Sequence, residues 1–353
     1  MKRLPILLVV LATGCATGRS APPPVPPAPE SMRALAAPPS GVSVRVVDVG
    51  GGLCTITRTP GPHYMVYDAG HWEGGHCFRA VQEIVGSNPI DLLIVSHSDS
   101  DHLGDATRIL RNFKVRQIWS TGFPRTDTAS WRSFHKAIAR EVENDYASVV
   151  NLQTVDLEPG TELALGHATV TLVAGWPRWD GSGPTASELR NAVSIVARLD
   201  YEGSSVLFTG DTVGRRLNDP DTACKDAEAV MVDRHNDGTV SLDADIVIAA
   251  HHGGNNGNSR CFIDAVSPTH VVFSAGHDHQ HPSAGAANRY LAAGVDLDNI
   301  YRTDRGDHEP GTYEWTHGRI NDCNDPRGDD DVEIRLRGGQ PPSVRYLRAS
   351  AGC

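Results

Sequence analysis

The sequence is short of three things, and each shortage closes off a class of function. It has no apolar run of the roughly 20 residues that a membrane-spanning helix needs; the run at its start, Leu4 to Leu11, is too short. A multi-span helical channel is thereby excluded. It has no surplus of positive charge: 32 Lys and Arg face 43 Asp and Glu, leaving a net charge of −11 with histidine neutral. Such a chain has no general attraction for nucleic acid or anionic lipid, so a nucleic-acid partner is not favoured, although bound cations would offset part of the charge locally. Finally, none of its seven cysteines stands in a CxxC pair, which argues against a cysteine metal site.

What is present suits a globular enzyme. The 353 residues are 39% hydrophobic and 21% charged, enough for one large or two small domains with a sizeable core. Residues 1–15 read as an export signal: Met1-Lys2-Arg3 is basic, the apolar run follows, and Ala12-Thr13-Gly14-Cys15 has the form of a bacterial lipobox. Cys15 would carry lipid, making the chain an exported lipoprotein that touches the membrane through its anchor only and faces the periplasm or cell surface. Residues 16–40, with APPPVPPAPE, form a Pro-rich linker, reaching up to roughly 75 Å at about 3.1 Å per residue. The remaining six cysteines, Cys54, Cys77, Cys224, Cys261, Cys323 and Cys353, are even in number and suggest disulfides, with pairing left open.

The centre of the chain's chemistry is DLLIVSHSDSDHLGD, Asp91 to Asp105. Leu92 to Val95 is short enough to be a buried strand, and His97, Asp99, Asp101 and His102 follow it within a few residues. A helical pattern with Ile109, Leu110 and Phe113 comes next. Metal-capable side chains discharged between a strand and a helix sit at one rim of a sheet. A simple turn, with Asp99 or Asp101 capping the helix, accounts for one Asp but not for two His and two Asp.

HxDxDH followed by LGD resembles the HxHxDH signature of the metallo-β-lactamase superfamily, with Asp99 at the usual second His. Within it, the chain is most similar to the hydrolase domain of DNA-uptake competence proteins (ComEC-like), over roughly residues 42–318. DVGGGLCTI, with Gly51 where Gln is usual, and YDAG look like the opening hairpin of that branch. Asp68 is either an outer support for the metals or a turn acid. LFTGDT resembles the element whose Asp, here Asp211, bridges two metals, and His251-His252-Gly253-Gly254 resembles HHGS. LRNAVSIVARL, Leu189 to Leu199, resembles a strand of that branch, and its Asn191 falls where other members place a third His; residues 218–244, with Cys224, are polar and loop-like. A His-Pro at His281-Pro282 matches as well, although His277 and His279 compete for that role.

The resemblance implies an αββα sandwich of the α/β class, with the hydrolase domain over residues 41–320 and an appended extension over 321–353. It also implies two divalent ions, zinc by family default. The carboxylate-rich donor set shifts the odds toward manganese. The first ion is assigned His97, Asp99 and His252; the second Asp101, His102 and His281, with Asp211 shared. Adjacent residues leaving a strand project oppositely, so one of the pair faces metal and the other substrate. His252 is assigned to metal, because with Asn191 in place of a third His the first ion would have His97 as its only nitrogen ligand, and His251 to substrate as proton donor. Asp101, His251 and His252 are the candidate catalytic residues. The implied reaction is metal-dependent hydrolysis, foremost of a phosphodiester, as a nuclease-like activity. Ester, lactone or β-lactam hydrolysis on the same fold is the alternative, and a non-catalytic surface binding module is a third reading.

Overall fold

Successive residues of a strand face opposite ways, so a strand buried on both faces must lie inside a layered fold. Val206, Leu207 and Phe208 are all buried, and so are Leu92, Leu93, Ile94 and Val95. The computed structural model describes residues 41–71, 73–121, 123–151, 157–176, 185–276, 281–303 and 331–347. In chain order, β1 (Val42–Val46), β2 (Thr55–Thr59) and β3 (His63–Tyr67) precede α1 (His76–Val85) and β4 (Ile90–Val95). Then come α2 (Ser100–Leu103), α3 (Ala106–Asn112), β5 (Val115–Ser120), α4 (Ala129–Glu143) and β6 (Ser148–Asn151). The next stretch holds β7 (Glu162–Leu165), β8 (Ala168–Ala174), α5 (Ala186–Ala192), β9 (Val196–Tyr201), β10 (Ser204–Phe208), α6 (Asp226–Asn236) and β11 (Ile246–Ile248). It is followed by α7 (Arg260–Val266), β12 (His270–Phe273), α8 (Ala284–Ala292), β13 (Ile300–Arg302), β14 (Val332–Arg337) and β15 (Gln340–Tyr346).

Two sheets result, ordered β15-β14-β1-β2-β3-β4-β5-β6 and β13-β12-β11-β10-β9-β8-β7. Each is mixed: β3 to β6 pair in parallel in the first, and β10 to β13 in parallel in the second. Val206 and Phe208 join Val44, Met65, Leu92 and Ile94 in the core between the sheets. Leu207 points the other way, into a second core with Phe262, Ile263, Ala286 and Tyr290 of the helices. On the outer face of the first sheet, Arg45 reaches Glu83 of α1 at 3.3 Å, and Cys54–Cys77 ties the same helix down. This is the αββα sandwich of the sequence reading. Its parallel strands deliver their C-terminal ends to one edge, where ligands bind in α/β sheets.

Three elements differ from expectation. LRNAVSIVARL, read as one strand-like run, splits into α5 and β9; Thr185 caps the helix by accepting from the Glu188 N–H, while its hydroxyl donates to the Glu188 carboxylate. Residues 218–244, read as loop, contain α6, and Cys224 is paired with Cys261. Residues 332–346, read as an appended tail, are two strands of the first sheet, with Val42 opposite Leu336 and Val46 opposite Val332. Residues 1–40 with Cys15, residues 177–184, His277, His279, Cys323 and Cys353 lie outside the described residues. No helix among the described residues is long and apolar enough to cross a membrane.

Candidate metal centre

The site is assembled on a buried carboxylate. Asp68, just past β3 with a backbone φ of 58°, accepts hydrogen bonds from the Ser96 N–H, the Ser96 hydroxyl and His102 Nδ1, each at 2.7 Å. It therefore supports a candidate ligand from behind, which settles its role against a turn acid. Gly52 lets the opening loop close over this region: a Cβ there would lie 2.7 Å from the Asp101 carbonyl oxygen, which accepts from the Leu53 N–H at 3.2 Å. Gly210, at φ 53°, turns the chain from β10 so that Asp211 enters the site. The Asp211 N–H donates to the Ser194 hydroxyl at 3.1 Å.

Four donors converge. Atoms of Asp101, His102, Asp211 and His252 all lie within 4.8 Å of one another. His102 Nε2 is 3.1 Å from Asp211 Oδ1 and 3.1 Å from His252 Nε2. His252 Nε2 is 3.5 Å from Asp211 Oδ1 and 3.6 Å from Asp101 Oδ2. The other oxygen of Asp211 turns away: Oδ2 is 3.7 Å from His97 Nε2 and 3.8 Å from His251 Nε2. Asp99 Oδ2 is 4.0 Å from His97 Nε2 on that side.

Tautomers make the case that cations belong here. His102 Nδ1 faces a carboxylate and His252 Nδ1 faces the Ser274 carbonyl at 2.8 Å, and both partners only accept. Each neutral ring thus carries its proton on Nδ1, leaving two Nε2 lone pairs facing each other at 3.1 Å. Lone pairs so placed repel unless a cation lies between them, and outer partners of this kind are how proteins orient metal-binding imidazoles. Ligands about 2.0–2.1 Å from one tetrahedral zinc sit roughly 3.3 Å apart, so the spacing suits. His97 Nε2 and Asp211 Oδ1, both buried, also have no hydrogen-bond partner among the described residues.

Without metal, a proton supplies the positive charge that these carboxylates call for. Burial opposes the charged form of His102, but Asp211, Asp68 and Asp101 more than offset it and hold its pKa well above the imidazole range. Burial also opposes charge on Asp211, yet His102, His252, His251 and His97 hold it well below the usual carboxylate range. His252 is raised: burial works against it, and Asp211 and Asp101 prevail. His97 is lowered, by burial and then by His102. Neutral His97 and ionised Asp211 are ligand-ready forms.

The structure rearranges the sequence assignment. His252 stands with Asp101 and His102 rather than with His97, and His251 lies on the His97 side of Asp211. Extended-chain alternation misleads here because both residues adopt left-handed backbone, φ 50° and 54°, in a turn after β11. Asn256 Oδ1, 2.7 Å from His251 Nδ1, and Asn191 Nδ2, 3.3 Å from its Nε2, fix that ring. His281 is not in the four-donor group; its ring centroid is 5.8 Å from that of His251 and 6.4 Å from that of His252. Asp99 occupies the helix-capping position of α2 but makes no capping bond. Its carboxylate is held by Arg125 at 2.7 Å and Arg190 at 2.5 Å, two residues that sequence reading passes over. Arg190 adjoins the flagged Asn191; nothing in the sequence marks Arg125.

The family described as "Metallo-beta-lactamase superfamily" matches residues 47–277. Competence protein ComA of Neisseria gonorrhoeae is 26% identical over 279 residues, covering 76% of this chain and 32% of its own length. ComE operon protein 3 of Bacillus subtilis is 22% identical over 202 residues, covering 56% of this chain and 21% of its own. The chain thus spans a third or less of these relatives. The metallo-beta-lactamase fold protein YhfI from Bacillus subtilis aligns over 74% of this chain and 95% of its own, at 12% identity and a TM-score of 0.45. With the family profile covering most of the described fold and a cation-ready cluster at its strand ends, the chain belongs to the metallo-β-lactamase superfamily.

Proposed function

We propose that this chain is a hydrolase of phosphodiester bonds that works with two divalent ions, zinc first and manganese as the alternative. The observation that carries this reading is Asp211, whose two oxygens face different ring nitrogens: Oδ1 faces His102 and His252, and Oδ2 faces His97, with His251 at the rim of that side. A carboxylate so flanked can serve two cations side by side. Divalent ions bound here would supply Lewis acidity and acidify water. The rest is the work of the chain's own residues. Asp68 and the Ser274 carbonyl accept from Nδ1 of His102 and His252 and so turn both Nε2 atoms toward the donor group. The His251 side chain is 22% exposed, against 0% for His97 and His102 and 5% for His252, so it is the one of these four rings that substrate can reach. Held by Asn256, it is placed to hydrogen-bond substrate and pass a proton to the leaving oxygen.

Phosphodiester rather than ester or lactam chemistry is supported by the likeness to the two competence proteins and by the resemblance of the HxDxDH and HHGG elements to motifs of that branch. The test is metal analysis with a substrate panel of bis(p-nitrophenyl) phosphate, single-stranded DNA, p-nitrophenyl acetate and a β-lactam. Two ions per chain and a preference for the diester are expected. Turnover of the ester or lactam alone overturns the substrate; absence of bound metal overturns the mechanism and leaves the binding module. We also propose that Cys15 carries a lipid anchor: Cys15→Ser should shift the protein from the membrane fraction to the periplasm, and unchanged fractionation rejects it.

A further inference from the structure

Asp99 stands where a metal ligand is expected, yet two arginines from distant segments grip its carboxylate. Arg125, in the loop after β5, donates from Nη1 to Oδ1 at 2.7 Å. Arg190, on α5, donates from Nε to Oδ1 at 2.5 Å and from Nη2 to Oδ2 at 3.5 Å. Two guanidiniums against one carboxylate leave a positive charge over. One arginine would suffice to neutralise Asp99, so the second needs another reason. The surplus sits beside the reaction centre, because Asp99 Oδ2 is only 4.0 Å from His97 Nε2. It also stands in a chain of net charge −11, where a local cation pair is the means of holding an anion that the molecule as a whole repels.

The donors are available. The Arg125 side chain is 28% exposed, and among the described residues Nη1 is its one atom with a hydrogen bond, leaving Nε and Nη2 to offer. Arg190 is 14% exposed, and its Nη1 is tied to the Ala186 carbonyl at 3.0 Å, which fixes the guanidinium plane. A planar fork held in place by a carboxylate is pre-organised for a second oxyanion. Asp99 then serves as the holder that keeps two like charges together.

We infer that Arg125 and Arg190 form an anion clamp that binds a non-bridging phosphate oxygen of the substrate beside the metal centre. The clamp rests on the phosphodiester reading and narrows it: the substrate bears its negative charge at the group being cut, not at a remote substituent.

The test uses the full chain loaded with manganese and inorganic phosphate as the probe. Phosphate binding is measured by calorimetry for wild type, Arg125→Gln, Arg125→Lys and Arg190→Gln, with metal content determined on each. Each Gln variant should bind phosphate about tenfold or more weakly with metal content retained, the loss of a charge-assisted hydrogen bond. Arg125→Lys, which keeps charge without the fork, should lose less. In kinetics, KM for bis(p-nitrophenyl) phosphate should rise, and the preference for that diester over p-nitrophenyl acetate should fall by a similar factor. Phosphate binding in Arg125→Gln equal to wild type overturns the clamp. So does loss of metal in step with loss of phosphate, since the arginines would then act only through Asp99. Arginine-dependent phosphate binding without diester cleavage keeps the clamp and rejects the phosphodiesterase; diester cleavage indifferent to both arginines does the reverse. Should Arg190→Gln fail to fold, the more exposed Arg125 decides alone.

Discussion

Asp68→Asn is the substitution that tests the metal centre most sharply, because it changes one atom and leaves the packing intact. In the wild type, Oδ1 accepts from the Ser96 N–H, while Oδ2 accepts from the Ser96 hydroxyl and His102 Nδ1. An amide has two ways to fit. With its oxygen kept on the Ser96 N–H, its NH2 faces His102 Nδ1, which must become an acceptor. The ring proton then moves to Nε2, the atom 3.1 Å from Asp211 Oδ1 and from His252 Nε2, and the lone pair is lost to the cation. With the amide reversed, two N–H groups confront each other in a fully buried place, at a cost of about 1–3 kcal/mol. Removing an outer partner of a metal-binding histidine costs roughly 10–100-fold in metal affinity, about 1.4–2.7 kcal/mol. Zinc titration against a competing chelator reads that loss, and 15N chemical shifts of His102 read the tautomer. Wild-type zinc affinity with the proton still on Nδ1 would refute the argument from facing lone pairs.

Asp211→Ala should abolish turnover and bound metal together, and retention of both would sink the shared-carboxylate reading. His252→Ala should shed metal, whereas His251→Ala should cut kcat by about 10²–10⁴ with more metal retained; equal metal loss in the two would show that the rings are interchangeable. In chelator, the raised pKa of His102 makes its contribution complete below the unfolded value near 6.5 and lost as pH climbs through the folded one. Asp211, depressed, contributes above roughly pH 4 and loses this only as pH falls through its folded value. Metal-free protein should therefore melt lower at pH 9 than at pH 6, and zinc, which displaces the His102 proton, should cancel that fall; melts in both states check it. The disulfides close spans of 23 and 37 residues, worth about 3–4 kcal/mol each, so a Cys224→Ala, Cys261→Ala double variant with an unchanged urea midpoint would contradict the chain-entropy account.

Much of the sandwich was legible because its signal is local. Leu92 to Val95 and Val206 to Phe208 are apolar runs cut off by polar donors, and a run buried on both faces needs no partner to be recognised. Helix α6 left no such trace: its buried positions are Ala227, Glu228 and Met231, and a buried glutamate interrupts the apolar stripe. Glu228 earns its place by accepting from the N–H groups of Asn258 and Ser259, 30 and 31 positions on, which no window along the chain reveals. Four of the side chains singled out in the sequence, Asp101, His102, Asp211 and His252, come together, but in a grouping that spacing along the chain does not reveal. Which way His251 and His252 turn depends on left-handed backbone and on Asn256 and Ser274, contacts set by the folded loop. The arginines on Asp99 come from 26 and 91 positions away, so periodicity and motif spacing are blind to them.

The pairing of β1 with β14 bears on how this chain is made. β1 is among the first strands to leave a ribosome, yet one of its two hydrogen-bonding edges stays open until β14 arrives; Asp48, just past β1, takes its partner Asp331 from 283 positions later. Through most of synthesis the nascent hairpin of β1 and β2 therefore offers a bare edge to any strand that drifts near, the situation in which chains stick to one another. Expression clones that stop near residue 320 would hold that edge open permanently. Such fragments should be caught in inclusion bodies, and a soluble yield would have to come from clones that carry the final hairpin.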